Sequence, residues 1–124
     1  MIWAILFCAL LAVLVAFQLA LALGAPLGRF AWGGQHDGTL PTRLRIASAV
    51  SIALYLAMAL VALARVGAIS LIPAGVASVT MWVLVGYLGL GVLLNAISRS
   101  TAERTVMTPL AAGLALSALG VALS

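Results

Sequence analysis

The sequence contains no lysine, only two acidic residues and one cysteine, Cys8. Charged residues make up 6% of its 124 residues, against about 25% in an average soluble protein. So few charges cannot cover a water-facing surface of this size, and a soluble globular domain is therefore excluded. A disordered chain is excluded as well, because disorder requires low hydrophobicity together with high net charge.

The scarcity of metal-binding and basic side chains excludes further classes. One cysteine cannot form an intramolecular disulfide, and Cys8 and the lone histidine, His36, do not provide the ligand set of a metal site. We therefore expect no metal and no cofactor. The net charge of +4 comes from six arginines. These are distributed among the connections between apolar runs, so we expect no nucleic-acid partner.

What the sequence does contain is hydrophobic residues, which supply 66% of the chain. A helix crosses a bilayer with about 20 apolar residues, and four runs of that length fill the chain. The sequence thus predicts an all-α fold, a four-helix transmembrane bundle with short loops that forms a single domain over residues 1–124. The predicted spans are residues 2–23, 44–63, 76–97 and 106–123.

The ends of these spans are marked by helix-breaking and helix-capping residues. Gly24, Pro26 and Gly28 end the first span, because glycine and proline interrupt helices. Thr108 and Pro109 are interpreted as an N-cap and the first helical position near the start of the fourth span. Loop 1 then covers roughly residues 24–43, loop 2 residues 64–75 and loop 3 residues 98–105.

The arginines are distributed unevenly between the two ends of such a bundle. Loops 1 and 3 and the adjoining span ends carry Arg29, Arg43, Arg45, Arg99 and Arg104, whereas loop 2 carries only Arg65. Because arginine-rich short loops remain in the cytoplasm, we expect loops 1 and 3 to be cytoplasmic and both termini to lie outside. Dual or inverted insertion is the alternative.

Small residues recur along the spans and allow helices to approach closely within lipid. The helix-packing residues predicted on this basis are Ala4, Cys8, Ala12, Ala16, Ala20 and Gly24 on the first span and Gly86 and Gly89 on the third. Packing within the bundle is one interpretation of this stripe. A homo-oligomer interface, or a close approach to a ligand, is the other.

Polar residues are concentrated at the end of the bundle where loops 1 and 3 lie. The candidate ligand-binding residues are Trp32, His36, Arg45, Asn95, Ser98, Arg99, Glu103 and Arg104. In this interpretation the arginines pair with ligand charge, Asn95 and Ser98 form hydrogen bonds with it, and Trp32 covers it. Asn95, Arg99 and Glu103 are spaced by four and share one face if a helix continues through them. The alternative is helix capping, headgroup-facing arginines and an interfacial tryptophan.

The predicted spans contain no Asp, Glu, Lys or His, a pattern that argues against proton- or sodium-coupled transport. Three functions remain. The first is binding or transport of an anionic or amphipathic small molecule or lipid at a polar mouth formed by loops 1 and 3. The second is a structural or accessory subunit of a larger membrane complex. The third, ranked last, is a lipid-modifying membrane enzyme in which Glu103 and His36 act as acid and base. We assign no catalytic residue.

Two groups of residues also resemble a known family. They are Ala31-Trp32-Gly33-Gly34 with Leu40-Pro41 and Leu44-Arg45, and then Asn95, Ser98, Ser100 and Glu103-Arg104. This pattern spans nearly the whole chain and resembles a family of short bacterial four-helix integral membrane proteins of uncharacterised function, although Met107 stands where its members tend to carry tryptophan. The resemblance implies the four-span topology and a bacterial cytoplasmic membrane. It implies no substrate and no catalytic residue.

Overall fold

The computed structural model describes residues 1–124 and contains four long helices and no strand. The helices are α1 (Ile2–Ala22), α2 (Thr42–Arg65), α3 (Ala74–Ala96) and α4 (Thr101–Leu123). Two short 3-10 turns, Gly28–Phe30 and Trp32–Gly34, lie in the connection between α1 and α2. All four helices are long and apolar enough to cross a membrane. The predicted all-α four-helix transmembrane bundle is confirmed.

Neighbouring helices in the sequence are also neighbours in space. The most extensive packing joins α1 to α2 and α3 to α4, and α4 packs back against α1. Loops 1 and 3 meet at one end of the bundle, where the Ser100 hydroxyl donates a hydrogen bond to the Arg29 carbonyl oxygen. At the other end, Arg65 of α2 donates to the Ala122 carbonyl oxygen of α4.

The core is a narrow seam between the helices. α1 contributes Ala4, Phe7, Leu11 and Leu14, which alternate by three and four residues, and this spacing keeps one helix face against its neighbours. The other helices add buried Met58, Ala62, Met81, Leu88, Leu114, Ala118, Val121 and Ala122. Only 20 of the 124 residues are buried. Most of the apolar surface therefore faces outward, as it does in a protein whose solvent is lipid.

α1 ends in a hydrogen-bonded motif built on Gly24. The Gly24 N–H donates to the Leu21 carbonyl oxygen at 3.1 Å, and the Ala25 N–H donates to the Ala20 carbonyl oxygen at 2.9 Å. This Schellman pattern needs a residue with positive φ, and Gly24 has φ 98°. The motif satisfies the last carbonyls of α1 and turns the chain into loop 1, in agreement with the prediction that the first span ends at Gly24.

α4 begins at Thr101, earlier than the predicted start at residue 106. The N-cap is Ser100, whose hydroxyl oxygen accepts a hydrogen bond from the Glu103 N–H at 3.3 Å. The assignment of Thr108 as N-cap is therefore wrong, and Pro109 lies inside the helix. Ser100 and Glu103 have the spacing of a capping box, and that earlier signal determines where the helix starts.

The early start of α4 places Glu103 in its first turn. The prediction that the spans contain no acidic residue is wrong for this reason, since Glu103 belongs to one of the four helices that can cross a membrane. α3 ends at Ala96, so no single helix runs from Asn95 to Glu103. The expected common helix face of Asn95, Arg99 and Glu103 does not form.

Candidate functional site

A cavity of about 290 Å³ lies between the four helices, in the half of the bundle next to loops 1 and 3. Most of its wall is apolar. Five aromatic residues line it, namely Phe17, Phe30, Trp32, Tyr55 and Tyr87. Four further residues with polar side chains line it as well, namely Gln18, Ser51, Asn95 and Glu103. A largely apolar wall with a few polar groups is typical of a small-molecule site, and the volume is at the lower end of the usual range of ~300–1,000 Å³.

Loop 1 covers one end of this cavity with Phe30, Ala31 and Trp32. The Phe30 ring meets the edge of the Phe17 ring of α1 at 90°, with 6.5 Å between their centroids. Trp32 has φ 55°, a left-handed conformation that is rare for a bulky residue and costs about 1–3 kcal/mol. Trp32 therefore lines the cavity in a conformation that the isolated loop would not favour, although 46% of it is exposed.

Loop 3 also contacts loop 1. The Ser100 hydroxyl donates to the Arg29 carbonyl oxygen at 2.5 Å. Gly34, with φ 74°, lies so close that a Cβ added to it would be 2.5 Å from the Cβ of Ser100. The residue that caps α4 thus also positions the loop that covers the cavity.

Glu103 is the acidic residue of the cavity wall. Its Oε2 accepts a hydrogen bond from the Ser98 hydroxyl at 2.5 Å, and the same Ser98 oxygen accepts one from the Ser100 N–H at 3.2 Å. The reciprocal half of the capping box therefore passes through the Ser98 hydroxyl. The N-terminus of a helix also favours negative charge, so the carboxylate has a stable position at the polar end of the cavity.

Asn95 reaches the same wall from the last turn of α3. Its side-chain nitrogen donates to the Gly91 carbonyl oxygen one turn earlier, at 3.0 Å. This bond satisfies part of the amide within its own helix and fixes its orientation. Asn95 and Glu103 are thus brought together by the meeting of two helix ends, although they do not share one helix.

Three of the arginines are engaged at the C-terminal ends of helices. Arg45 Nε donates to the Ala22 carbonyl oxygen of α1 at 3.1 Å, Arg65 Nη2 to Ala122 of α4 at 3.1 Å, and Arg104 Nη1 to Ser98, just after α3, at 2.9 Å. Cations stabilise helix C-termini, where carbonyl oxygens lack partners. None of these arginines lines the cavity.

Of the eight candidate ligand-binding residues, Trp32, Asn95 and Glu103 line the cavity. The other five, which do not line it, are His36, Arg45, Ser98, Arg99 and Arg104. Ser98 contacts the site through Glu103, and Arg99 is exposed. No group of three or more His, Cys, Asp or Glu side chains is arranged to hold a metal ion.

The predicted helix-packing residues follow a different line from the core seam. Ala4 is buried, Cys8, Ala20 and Gly24 are half-buried, and Ala12, Ala16, Gly86 and Gly89 are exposed. A spacing of four winds around a helix that has 3.6 residues per turn, so the stripe leaves the seam after its first member. A Cβ added at Gly86 or Gly89 would meet nothing within 4 Å. The interpretation of these residues as an interface between chains stays a prediction.

The candidate ligand-binding residues did not include several residues of the wall, among them Ser51, Tyr55 and Tyr87. A signal for two of them was present, because Ser51 and Tyr55 are four residues apart and share one face of α2. Gln18 was recognisable as the strongly polar residue of the first span. The structure adds the fact that the three helices turn these residues toward one cavity.

Comparisons with family models, with curated proteins and with solved structures find no match to this chain. The resemblance to short bacterial four-helix membrane proteins thus stays a prediction.

Proposed function

We propose that the protein is a binding module for an amphipathic small molecule or lipid, which it holds in the cavity between its helices. The observation that carries the proposal is the arrangement of the wall. Polar Asn95 and Glu103 lie at the end near loops 1 and 3, and apolar Leu14, Leu88 and Leu114 line other parts of it. An amphipathic molecule likewise combines a polar head with an apolar body.

Access from the bilayer supports the same proposal. The cavity is partly open, and Tyr87 and Leu90 on its α3 wall are 55% and 54% exposed. α2 and α3 also pack against each other less extensively than α1 against α2 or α3 against α4. A ligand dissolved in the membrane could therefore enter between α2 and α3 without crossing the helix seam.

An amphipathic ligand fits the wall better than a simple anion. Anion recognition would depend on arginines such as Arg45 and Arg104. Both donate to main-chain carbonyl oxygens, and neither lines the cavity. Transport, which needs a second access state, is a proposal beyond binding.

Bromooctanol is a suitable probe, because bromine quenches tryptophan fluorescence at short range. The protein would carry Trp3→Phe and Trp82→Phe, so that Trp32 of the cavity wall is its only tryptophan. In lipid nanodiscs we expect quenching of Trp32 that saturates as the probe fills the cavity. Ala111→Phe, which fills part of the cavity, should abolish the saturable component.

Ala53→Phe is the matched control. It adds the same volume on α2, at an exposed position that does not line the cavity, and saturable quenching should remain. Quenching that rises linearly with probe in the membrane, or that responds equally to both phenylalanine variants, would refute binding in the cavity.

We infer from the arginine distribution that loops 1 and 3 face the cytoplasm, with both termini outside. The resemblance to short bacterial membrane proteins supports a bacterial cytoplasmic membrane as the location. Single cysteines at Asp37 of loop 1 or Ser70 of loop 2, both exposed, can be placed in a Cys8→Ala background. An impermeant maleimide added outside intact cells should label only the Ser70 position. Labelling of the Asp37 position alone would mean inverted insertion.

A structural or accessory role is the second candidate, and one observation favours it. Gly86 and Gly89 are exposed on α3 with open space beside them, and glycines on a lipid-facing surface let a second helix approach closely. Gly86→Leu should then reduce co-purification of a partner, or self-association, in mild detergent. A single monodisperse species with or without the substitution would refute this role. The enzyme hypothesis gains no comparable support, since His36 does not line the cavity with Glu103.

A further inference from the structure

The charge on the cavity wall has one sign. Glu103 is the charged residue among the 19 that line the cavity, and no arginine is among them. Its carboxylate accepts a hydrogen bond from the neutral Ser98 hydroxyl. Arg104, the next residue, donates instead to the Ser98 carbonyl oxygen and to the Thr101 hydroxyl. The carboxylate is therefore not neutralised by a neighbouring arginine.

The same wall is rich in aromatic rings, whose faces attract cations. Phe17, Phe30, Trp32, Tyr55 and Tyr87 all line it. Phe30 already makes this kind of contact, because the guanidinium carbon of Arg29 lies 4.9 Å from its ring centroid. Arg29 itself is exposed and does not line the cavity.

We propose that the ligand of this cavity carries a cationic head, an alkylammonium group, which the Glu103 carboxylate and the surrounding aromatic rings recognise. This inference rests on the proposed function and specifies the class of ligand. A cation that leaves water needs a compensating charge or ring face, and this wall offers both. An anionic head would face the Glu103 carboxylate with no positive side chain on the wall. A neutral head would gain hydrogen bonds with Asn95 or Gln18 but nothing from the charge.

The test compares amphiphiles with one chain and different heads. Octyltrimethylammonium, octanol and octyl sulfate would each compete with bromooctanol for the cavity in zwitterionic nanodiscs, with Trp32 fluorescence as the readout. We expect octyltrimethylammonium to displace the probe at a concentration at least about tenfold below that of octanol, because a partly buried charge pair is only weakly screened. Octyl sulfate should compete more weakly than octanol.

Glu103→Gln tests the residue. Glutamine keeps the size and an oxygen that can accept from Ser98, and the substitution should remove most of the advantage of octyltrimethylammonium over octanol, leaving the part that comes from the aromatic rings. Trp32 fluorescence with bromooctanol alone reports whether this variant still has its cavity. If the variant fails to fold, the three heads on the unmodified chain still decide the matter.

The outcomes separate the two proposals. Equal competition by octanol and octyltrimethylammonium, with saturable quenching by bromooctanol, would overturn the cationic head and leave the binding function standing. Stronger competition by octyl sulfate than by octanol would also overturn it. Absence of any saturable quenching would overturn the binding function and the cationic head together.

Discussion

Arg45→Ala is the substitution that most directly tests how arginines hold this bundle. Arg45 Nε donates to the Ala22 carbonyl oxygen at 3.1 Å, and its guanidinium lies beside Gly24, where the chain turns into loop 1. The substitution removes a cation and a donor from the end of α1. It also removes a contact that joins α1 to the first turns of α2.

The expected loss of stability follows from the hydrogen bond and from the cation at the end of α1. A hydrogen bond that involves a charged group contributes about 1.5–3 kcal/mol, and a cation at a helix C-terminus adds about 0.3–1 kcal/mol. Because the Arg45 side chain is half-buried rather than fully buried, the lower part of these ranges applies. We expect Arg45→Ala to lower the free energy of unfolding by about 2 kcal/mol.

The measurement is reversible unfolding in mixed micelles of mild detergent and dodecyl sulfate, followed by helical circular dichroism. Arg43→Ala is the matched control. It removes the same charge two residues away, at an exposed position, and should change the stability by less than about 0.5 kcal/mol. Equal losses in the two variants would show that total charge, and not the bond to the end of α1, stabilises the bundle.

Three further substitutions test the packing of the loops and the core. Gly34→Ala should destabilise the protein by more than Gly33→Ala. Both residues have positive φ, which costs alanine about 1–2 kcal/mol, but only at Gly34 would the new Cβ also meet Ser100. Coinciding unfolding curves of the two variants would contradict this contact. Ser100→Ala should cost about 1 kcal/mol through the lost cap and should make loop 1 more accessible to limited proteolysis, and unchanged cleavage would contradict its second role. Phe7→Ala should lower the free energy of unfolding by about 3–5 kcal/mol because it leaves a cavity in the core. Ile5→Ala on the exposed face of α1 should cost less, since lipid can fill the gap that it leaves. A similar loss of stability in the two variants would contradict the assignment of Ile5 to the lipid-facing surface.

The helices could be predicted from the sequence, because four apolar runs of bilayer length admit few other folds. Their boundaries depended on local capping. Gly24 was identified as a helix end correctly, since glycine at a Schellman position is a local signal. The start of α4 was missed because the N-cap was assigned from Thr108 and Pro109, and the capping box of Ser100 and Glu103, which includes Ser98 in the structure, was not considered.

The candidate site could be predicted only in part. Trp32, Asn95 and Glu103 were selected because they are polar or aromatic residues near one end of the bundle, and all three line the cavity. The acceptor to which an arginine donates depends on contacts between different elements of the chain. The sequence therefore does not predict that Arg45 and Arg104 bind main-chain carbonyl oxygens. Which residues in the middle of the helices line the cavity likewise depends on the face that each helix turns inward.

The hydrogen bonds of the arginines divide these residues between two tasks. Arg45, Arg65 and Arg104 close helix ends, whereas Arg43 and Arg99 are exposed and are free to guide insertion. An attempt to invert this protein by relocating basic residues would disturb its folding if it began with the first group. Charge reversal at Arg43 and Arg99 would change the charge difference between the loops, while the arginine hydrogen bonds at the ends of α1, α3 and α4 would remain.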